Sequence, residues 1–181
     1  MKNFILIALF TSLSLIAETR PSKWAKEIKN KEMKNFYQVD KKLYRSAQPS
    51  KDGFKELKKM GFTTVLNLRE YHDDKREAKG TGIKLEHIKI ETDEISYKEL
   101  AQSLKIIKKA KGPILVHCWH GADRTGAVIA SYRIVFQNCS QADAIKELKD
   151  GGYNYHSIYT SIPKTINGLD IKKLRKEVLG K

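Results

Sequence analysis

Residues 116–126 read Val-His-Cys-Trp-His-Gly-Ala-Asp-Arg-Thr-Gly. The apolar triplet Ile-Leu-Val at 114–116 predicts a short central strand that leads into this stretch. The mostly apolar residues from about 123 to 136 predict a deeply buried helix that follows it. A cysteine therefore stands where a buried strand ends, and Arg124 stands six residues later at the start of a helix. The loop between them must turn tightly, and Gly121 suits that turn.

A loop of this kind is suited to holding an anion. A tight loop before a helix directs successive backbone N–H groups into one concavity, where the helix dipole also favours negative charge. Arg124 adds a guanidinium fork that matches two phosphate oxygens. The same positive field favours the thiolate form of Cys118, which is the nucleophilic form. The stretch therefore predicts a site that binds and attacks a phosphate group.

The pattern Cys-x5-Arg-Thr-Gly, preceded by His117, resembles the signature of the cysteine-dependent protein tyrosine phosphatase superfamily. Two upstream stretches are Leu-Tyr-Arg-Ser-Ala-Gln-Pro at 43–49 and Gly-Phe-Thr-Thr-Val-Leu-Asn-Leu-Arg at 61–69. Both are similar to the compact atypical dual-specificity phosphatases of bacteria, plants and fungi. The resemblance covers about residues 36–160. It implies a cysteine-dependent phosphatase that hydrolyses phosphate monoesters.

The resemblance also implies a role for each matching residue. Cys118 would attack phosphorus and become a phosphocysteine, and Arg124 would stabilise the equatorial oxygens in the transition state. Thr125 would donate a hydrogen bond to the departing sulfur, and His117 would orient the loop from beneath. No metal or other cofactor is expected, because the loop and the arginine supply the positive charge. The predicted substrate-binding residues are those of the loop: Trp119, His120, Gly121, Ala122, Asp123 and Arg124.

Two side chains of the loop keep alternatives open. Trp119 is expected to pack at the rim of the pocket, where an aromatic ring can also stack on a phenyl phosphate. His120 either hydrogen-bonds to the substrate or fills an exposed loop position.

The general acid that protonates the leaving oxygen is less well defined. The family places an aspartate on a loop after an earlier strand, and residues 91–96 read Glu-Thr-Asp-Glu-Ile-Ser. We predict Asp93 as the acid, with Glu94 and Glu91 as alternatives. Alternatively, all three acids have no catalytic role and only supply the negative charge that is favourable at the N-terminus of the next helix.

Asp123 competes for the role of general acid. An acid directly before Arg124 resembles a minority of the superfamily, which includes myotubularin-like and some secreted bacterial phosphatases that act on phosphoinositides. Asp123 could donate the proton or position water, and it could equally be a helix N-cap.

The charge of the chain favours an anionic partner. Lys and Arg number 35, Asp and Glu 21, and the formal net charge is +14. The lysines are spread over many segments and no nucleic-acid-binding motif is found, so a nucleic acid is not the predicted partner. We expect a phosphorylated anionic substrate: a Tyr, Ser or Thr phosphoprotein, an inositol phosphate or a phosphoinositide, with contact to lipid head groups in the last case.

The chain divides into three predicted parts. Residues 1–17, MKNFILIALFTSLSLIA, have the basic start and the apolar run of a secretory signal peptide. They predict export to the periplasm or the medium. If the signal is cleaved, we expect no integral membrane domain; if it stays uncleaved, we expect an anchored protein. Residues 18–35 are predicted to form a loosely held basic arm. Residues 36–181 are predicted to form the phosphatase domain.

Strands and helices alternate through that domain. Strand-like segments at 36–39, 43–45, 62–68, 85–90 and 114–116 alternate with helices that begin near Ser50, Ser96, Asp123, Ser140 and Asp170. This alternation predicts a single three-layer α/β domain with a central, mostly parallel sheet flanked by helices, as in dual-specificity phosphatases.

Two other functions remain open on the sequence alone. A rhodanese-like sulfurtransferase also has a cysteine at a strand end in an anion-binding loop, and a phosphate-binding module without turnover would need only the loop. The second cysteine, Cys139, follows a helix of about 14 residues and should lie roughly 20 Å from Cys118. A disulfide between the two is therefore not expected.

Overall fold

The structure is a computed structural model that describes residues 20–180. The predicted signal peptide, residues 1–17, lies outside the described residues. The described chain forms one sheet of six strands. The strands are β1 (Lys26–Glu27), β2 (Tyr37–Gln38), β3 (Leu43–Ser46), β4 (Thr64–Asn67), β5 (Lys84–His87) and β6 (Ile114–His117).

The sheet has the spatial order β1-β2-β3-β6-β4-β5. Strands β3, β6, β4 and β5 are parallel, and β1 and β2 add an antiparallel edge. The prediction of a mostly parallel sheet is confirmed. Strand β6 lies between β3 and β4, with Val116 opposite Arg45 on one side and Leu66 on the other. Cys118 therefore follows the carboxyl end of a central strand, the edge at which α/β sheets bind ligands.

Within residues 20–180, six helices connect and cover the strands. They are α1 (Lys51–Lys59), α2 (Tyr97–Lys109), α3 (Asp123–Gln137), α4 (Gln141–Asp150), α5 (Ser161–Asn167) and α6 (Ile171–Leu179). The predicted caps form: the side chains of Ser50, Ser96, Ser140 and Asp170 each accept a backbone N–H at a helix start. None of the helices within residues 20–180 has the length and apolar character needed to cross a membrane.

The sheet separates two apolar clusters, which gives the three predicted layers. Phe54 of α1 packs with Val65 and Leu115 on one face. Leu66 and Val116 belong to the larger cluster with α2 to α6 on the other face. Consecutive residues of β4 and of β6 thus bury side chains on opposite faces, as the pleat requires. The three-layer α/β prediction is confirmed.

The prediction of a loosely held arm at the N-terminus is wrong for residues 20–35. Trp24 and Ala25 are buried, and the Ala25 N–H donates to Glu147 Oε1 at 2.9 Å. The Arg20 guanidinium lies 5.3 Å from the centre of the Tyr153 ring. The many lysines of this segment suggest a solvated arm, but its few apolar residues find partners that are distant in sequence.

Candidate active site

The loop from Cys118 to Ala122 joins β6 to α3, and Cys118 itself is buried. Gly121 adopts φ +72°, and a Cβ at this position would lie 2.3 Å from the carbonyl oxygen of Ser46. Only glycine therefore lets the loop lie directly on the backbone that follows β3. This close contact fixes the loop at the carboxyl edge of the sheet.

The carbonyl groups of the loop point away from its centre. Three of them accept hydrogen bonds from outside the loop: Trp119 O from Gln48 N at 3.0 Å, His120 O from Asn35 Nδ2 at 2.8 Å, and Gly121 O from Arg45 Nη2 at 2.7 Å. In a trans peptide group the N–H points opposite to the carbonyl. By this geometry the N–H groups that follow these carbonyls are directed inward, as an anion nest requires.

Arg45 supports the loop from β3. Its side chain is fully buried, and its guanidinium lies 3.8 Å from the centre of the Tyr153 ring. Burial lowers the pKa of Arg45, and the nearby Tyr153 and Glu147 oppose that shift. Because an arginine keeps its charge even so, Arg45 places a fixed cation beneath the phosphate loop.

His117 is the last residue of β6 and is fully buried directly before the loop. Its Nε2 lies 2.8 Å from Asp74 Oδ2, and its Nδ1 lies 3.2 Å from the carbonyl oxygen of Cys118. Asp74 Oδ1 also accepts a hydrogen bond of 2.7 Å from Gln48 Nε2. Burial alone would raise the pKa of Asp74, but the hydrogen bonds from His117 and Gln48 outweigh it and leave the pKa below its ordinary value.

Asp74 is a residue that the sequence reasoning missed. It lies in the charged segment 70–82, whose composition is typical of a loop or a solvated helix, yet its carboxylate is completely buried. Its backbone adopts φ +64°, which is uncommon for a residue other than glycine. No local signal identifies it, because its partner His117 is 43 residues away.

Arg124 and Thr125 present unused polar atoms at the start of α3. Arg124 Nη1 donates to Ile90 O at 3.3 Å, which positions the side chain. Within the described part of the chain, Arg124 Nε and Thr125 Oγ1 are buried atoms without a hydrogen-bond partner. Buried polar groups normally have partners, so these two atoms beside an anion nest are suited to a bound group.

A cleft of about 340 Å³ opens beside the loop. Its lining includes Arg69, Asp93, Trp119, Arg124 and Tyr159. Trp119 is half exposed, and the Arg69 guanidinium lies 4.1 Å from the centre of its ring. The cleft therefore brings together the predicted arginine, the predicted acid and the predicted rim tryptophan.

The other candidate acids differ in position. Glu91 also lines the cleft, whereas Glu94 is not among its lining residues. Asp123 is buried, and it accepts hydrogen bonds from His156 N at 3.0 Å and from His156 Nδ1 at 2.8 Å. The N-cap of α3 is Ala122, so the N-cap alternative for Asp123 is wrong. His156, which binds this carboxylate, was not recognised from the sequence.

Residues 32–156 match the sequence profile described as "Tyrosine phosphatase family". The chain belongs to this family. Its relatives place it among the atypical cysteine-dependent dual-specificity members, and it is a phosphatase enzyme. The family prediction is confirmed, and membership of the tyrosine phosphatase family decides against both the sulfurtransferase alternative and the binding module without turnover.

Among members of the tyrosine phosphatase family, the chain is similar to the dual specificity protein phosphatase TpbA of Pseudomonas aeruginosa. The two are 30% identical over 162 residues, which cover 88% of this chain and 72% of TpbA. It is also 30% identical to an inositol diphosphatase of Arabidopsis thaliana over 128 residues, which are 62% of this chain and 59% of that protein. The chain thus spans less than two thirds of the plant relative.

Two solved structures carry the same fold. A cysteine-to-serine variant of TpbA in complex with phosphotyrosine aligns with a TM-score of 0.80 at 26% identity, over 90% of this chain and all of that one. The catalytic domain of the PP-IP phosphatase SIW14 from S. cerevisiae, in complex with citrate, aligns with a TM-score of 0.68 at 26% identity. That alignment covers 79% of this chain and 90% of the yeast domain. The dual-specificity phosphatase-like fold is confirmed.

The second cysteine takes no part in this site. Cys118 and Cys139 are both free, as predicted. Burial raises the pKa of the Cys139 thiol, with smaller opposing effects of nearby charges. The raised pKa favours the protonated thiol of Cys139 at neutral pH, which is less reactive than the thiolate.

Proposed function

We propose that the protein is an exported phosphomonoesterase that works through a phosphocysteine intermediate. The observation that carries this proposal is the set of loop carbonyls bonded outward, which leaves the loop N–H groups facing inward beside Cys118 and beside Arg124 Nε, an atom without a partner among residues 20–180. A phosphate bound there is held by donors whose geometry is set before the reaction begins. Such preorganised donors stabilise the charge that develops on the equatorial oxygens.

The reaction has two steps. The Cys118 thiolate attacks phosphorus and forms an S–P bond while the ester O–P bond breaks, and Asp93 gives its proton to the leaving oxygen. Water then attacks the phosphocysteine, Asp93 takes a proton from that water, and the S–P bond breaks to release phosphate and thiolate. Thr125 donates a hydrogen bond to the departing sulfur in this proposal, which the lack of a partner for its buried Oγ1 in the described structure supports.

Asp93 is the acid that we propose, because it lines the cleft together with Arg124. Its exposed carboxylate can reach a leaving group that enters from solvent. Asp123 is a weaker candidate for the acid, because both of its oxygens already accept hydrogen bonds from His156.

The proposed substrate is a phosphorylated protein, inositol phosphate or phosphoinositide. The aromatic rings of Trp119 and Tyr159 at the cleft support a phenyl phosphate, as does the likeness to TpbA bound to phosphotyrosine. Arg69 beside Arg124 supports a substrate with more than one phosphate, as does the likeness to an inositol diphosphatase. The formal net charge of +14 would draw either substrate, and a lipid surface with anionic head groups, to the protein.

Export rests on the signal-like residues 1–17. A reporter without its own signal, fused after residue 17, should appear in the periplasm or the medium. Retention of the fusion in the cytoplasm would contradict the proposed export without affecting the proposed chemistry.

Phosphatase assays under reducing conditions test the chemistry. Wild-type protein, Cys118→Ser, Asp93→Asn and the neighbouring control Glu94→Gln are compared on para-nitrophenyl phosphate and on phenyl phosphate. We expect no turnover by Cys118→Ser. We expect a loss of about 10²–10⁴-fold in kcat for Asp93→Asn, greater on phenyl phosphate, whose leaving group needs the proton more.

Two outcomes would contradict the proposal. Full activity of Cys118→Ser would exclude the phosphocysteine. Equal losses of Asp93→Asn and Glu94→Gln, or the same loss on both substrates, would exclude Asp93 as the acid. Rates on phosphopeptides, inositol phosphates and phosphoinositide vesicles then identify the substrate class.

A further inference from the structure

Three potential metal ligands from two distant segments meet beside the phosphate loop. They are His120 of the loop, Asp123 at the start of α3, and His156 in the segment between α4 and α5. One ligand atom from each lies within 4.8 Å of the other two. The two imidazole rings have their centres 5.2 Å apart. Neither imidazole has a part in the two-step reaction proposed above.

The carboxylate of this cluster is already oriented. Asp123 is buried, and its Oδ1 accepts the backbone N–H of His156 at 3.0 Å. Its Oδ2 faces the ring of His156 at 2.8 Å. A hydrogen bond to the carboxylate oxygen that does not bind the ion, here Oδ1, is the kind of support that positions metal-binding carboxylates in proteins. A metal ion could therefore replace the proton between Oδ2 and the His156 Nδ1 nitrogen, so that both atoms bind the ion.

We propose that His120, Asp123 and His156 form a binding site for a divalent transition-metal ion, with Zn²⁺ as the best match. Two imidazoles, one carboxylate and a water molecule are a common tetrahedral ligand set for zinc. Ligand atoms at about 2.0–2.1 Å from a tetrahedral ion lie roughly 3.3 Å from one another. The pair Asp123 Oδ2 and His156 Nδ1 must open by about 0.5 Å, and the wider pairs must close by about 1.5 Å at most.

The surroundings permit this adjustment. His120 and His156 are exposed, and the His156 side chain retains 43% of its accessible surface. Apart from each other, the aromatic neighbours of these imidazoles are Trp119 and Tyr159, which line the open cleft, so the imidazoles can rotate towards an ion from solution. The buried Asp123 needs no movement, because the exposed imidazoles adjust around it: His156 Nδ1 moves slightly away, and the more distant ligand atoms move closer.

The ion would link the phosphate loop to the segment that contains His156. His120 belongs to the loop that holds the phosphate, so an occupied site limits how far this loop can move relative to residues 151–160. The ion takes no part in bond cleavage. This inference is therefore independent of the proposed phosphatase mechanism.

A second group of similar composition is a less suitable site. His72, Asp74 and Glu77 also lie together, with His72 Nε2 3.3 Å from both carboxylates. The two oxygens of Asp74, however, accept hydrogen bonds from His117 and Gln48, which are not ligands of this group, whereas Asp123 is held by His156, itself a candidate ligand. This group also offers only one imidazole, which makes it a poorer match for zinc.

Metal titration tests the proposal on protein that carries Cys118→Ser and Cys139→Ser, because thiolates would otherwise bind the ion. Zn²⁺ binding is measured by calorimetry, and Co²⁺ binding by its visible absorption. We expect one ion per chain and a higher Tm with Zn²⁺. In the same background His120→Asn and His156→Asn should each weaken binding at least ten-fold, a typical loss for disturbed metal sites.

His72→Asn in the same background is the matched control, and it should keep the full affinity. Absence of binding to the parent protein would overturn the proposal, as would unchanged affinity in both His120→Asn and His156→Asn. Loss of binding in His72→Asn alone would assign the ion to the other group and overturn it as well. Melting curves without metal identify a variant that fails to fold, and the exposed His120 provides a substitution that does not disturb the core.

Discussion

Substitution of Gly121 by alanine tests whether the close contact beneath the phosphate loop positions the catalytic groups. The added Cβ would lie 2.3 Å from Ser46 O and 2.6 Å from Ala47 N, whereas ordinary contacts begin at 3.4 Å. The obstructing atoms belong to the backbone and cannot rotate away. The loop would therefore have to move by about 1.1 Å from the chain that follows β3.

Two costs follow from this geometry. Alanine at φ +72° is strained by about 1–2 kcal/mol, and the displaced backbone adds about 1–3 kcal/mol. A misplacement of about 1 Å at reacting groups can reduce the rate about 10²-fold. We therefore expect Gly121→Ala to lose about 2–5 kcal/mol of unfolding free energy and to show a kcat about 100-fold lower.

Gly61→Ala is the matched control. Gly61 adopts φ +81°, but a Cβ there would meet no atom within 4 Å. The control should lose only the conformational energy of about 1–2 kcal/mol and keep its activity. Urea unfolding and hydrolysis of para-nitrophenyl phosphate measure the two quantities. A kcat of Gly121→Ala above a third of the wild-type value would show that this contact does not fix the position of the phosphate loop.

Three further substitutions have defined outcomes. Asp74→Asn should lower the unfolding free energy at neutral pH and reduce its loss in acid, because the lowered pKa of Asp74 stabilises the fold above the unfolded pKa of about 3.9 and this contribution disappears as the pH falls through the folded pKa. Equal slopes of unfolding free energy against pH for variant and wild type between pH 5 and 2 would contradict this role of Asp74. Arg133→Met removes the guanidinium that lies 2.8 Å from the buried Glu147 carboxylate, and it should lower the unfolding free energy in urea by about 3–5 kcal/mol. A loss below about 1 kcal/mol would show that this ion pair is not needed for stability. Phe54→Ala removes a fully buried ring of α1 and should cost about 3–5 kcal/mol with unchanged KM, and a changed KM would indicate that α1 affects the site directly.

Features encoded by neighbouring residues were predictable from the sequence. The strand, loop and helix around Cys118 are contiguous, and the caps at Ser96 and Asp170 depend on residues three positions away. Helix α5 was not predicted, because Thr160 makes no side-chain cap hydrogen bond and Pro163 breaks the pattern. The spacing of Phe54, Leu57 and Met60 predicts that all three point inward, but Met60 lies beyond the end of α1 and is partly exposed.

Features that depend on distant contacts were not predictable. Asp74 meets His117 across 43 residues, and His156 meets Asp123 across 33. Asp74 and His156 look like ordinary polar loop residues until the fold brings them to these partners. The same holds for the buried Trp24, whose neighbour Ala25 donates its backbone N–H to Glu147 of α4, 122 residues away.

The placement of the two tryptophans makes the protein its own optical probe. Trp24 is buried, with 7% exposure, whereas Trp119 is 53% exposed at the cleft, under the guanidinium of Arg69. A phosphorylated ligand that draws Arg69 away from the indole would change the emission of Trp119 and leave that of Trp24 constant. In a Cys118→Ser, Trp24→Phe protein, occupancy of the cleft could thus be followed by fluorescence in real time, without turnover and without a label.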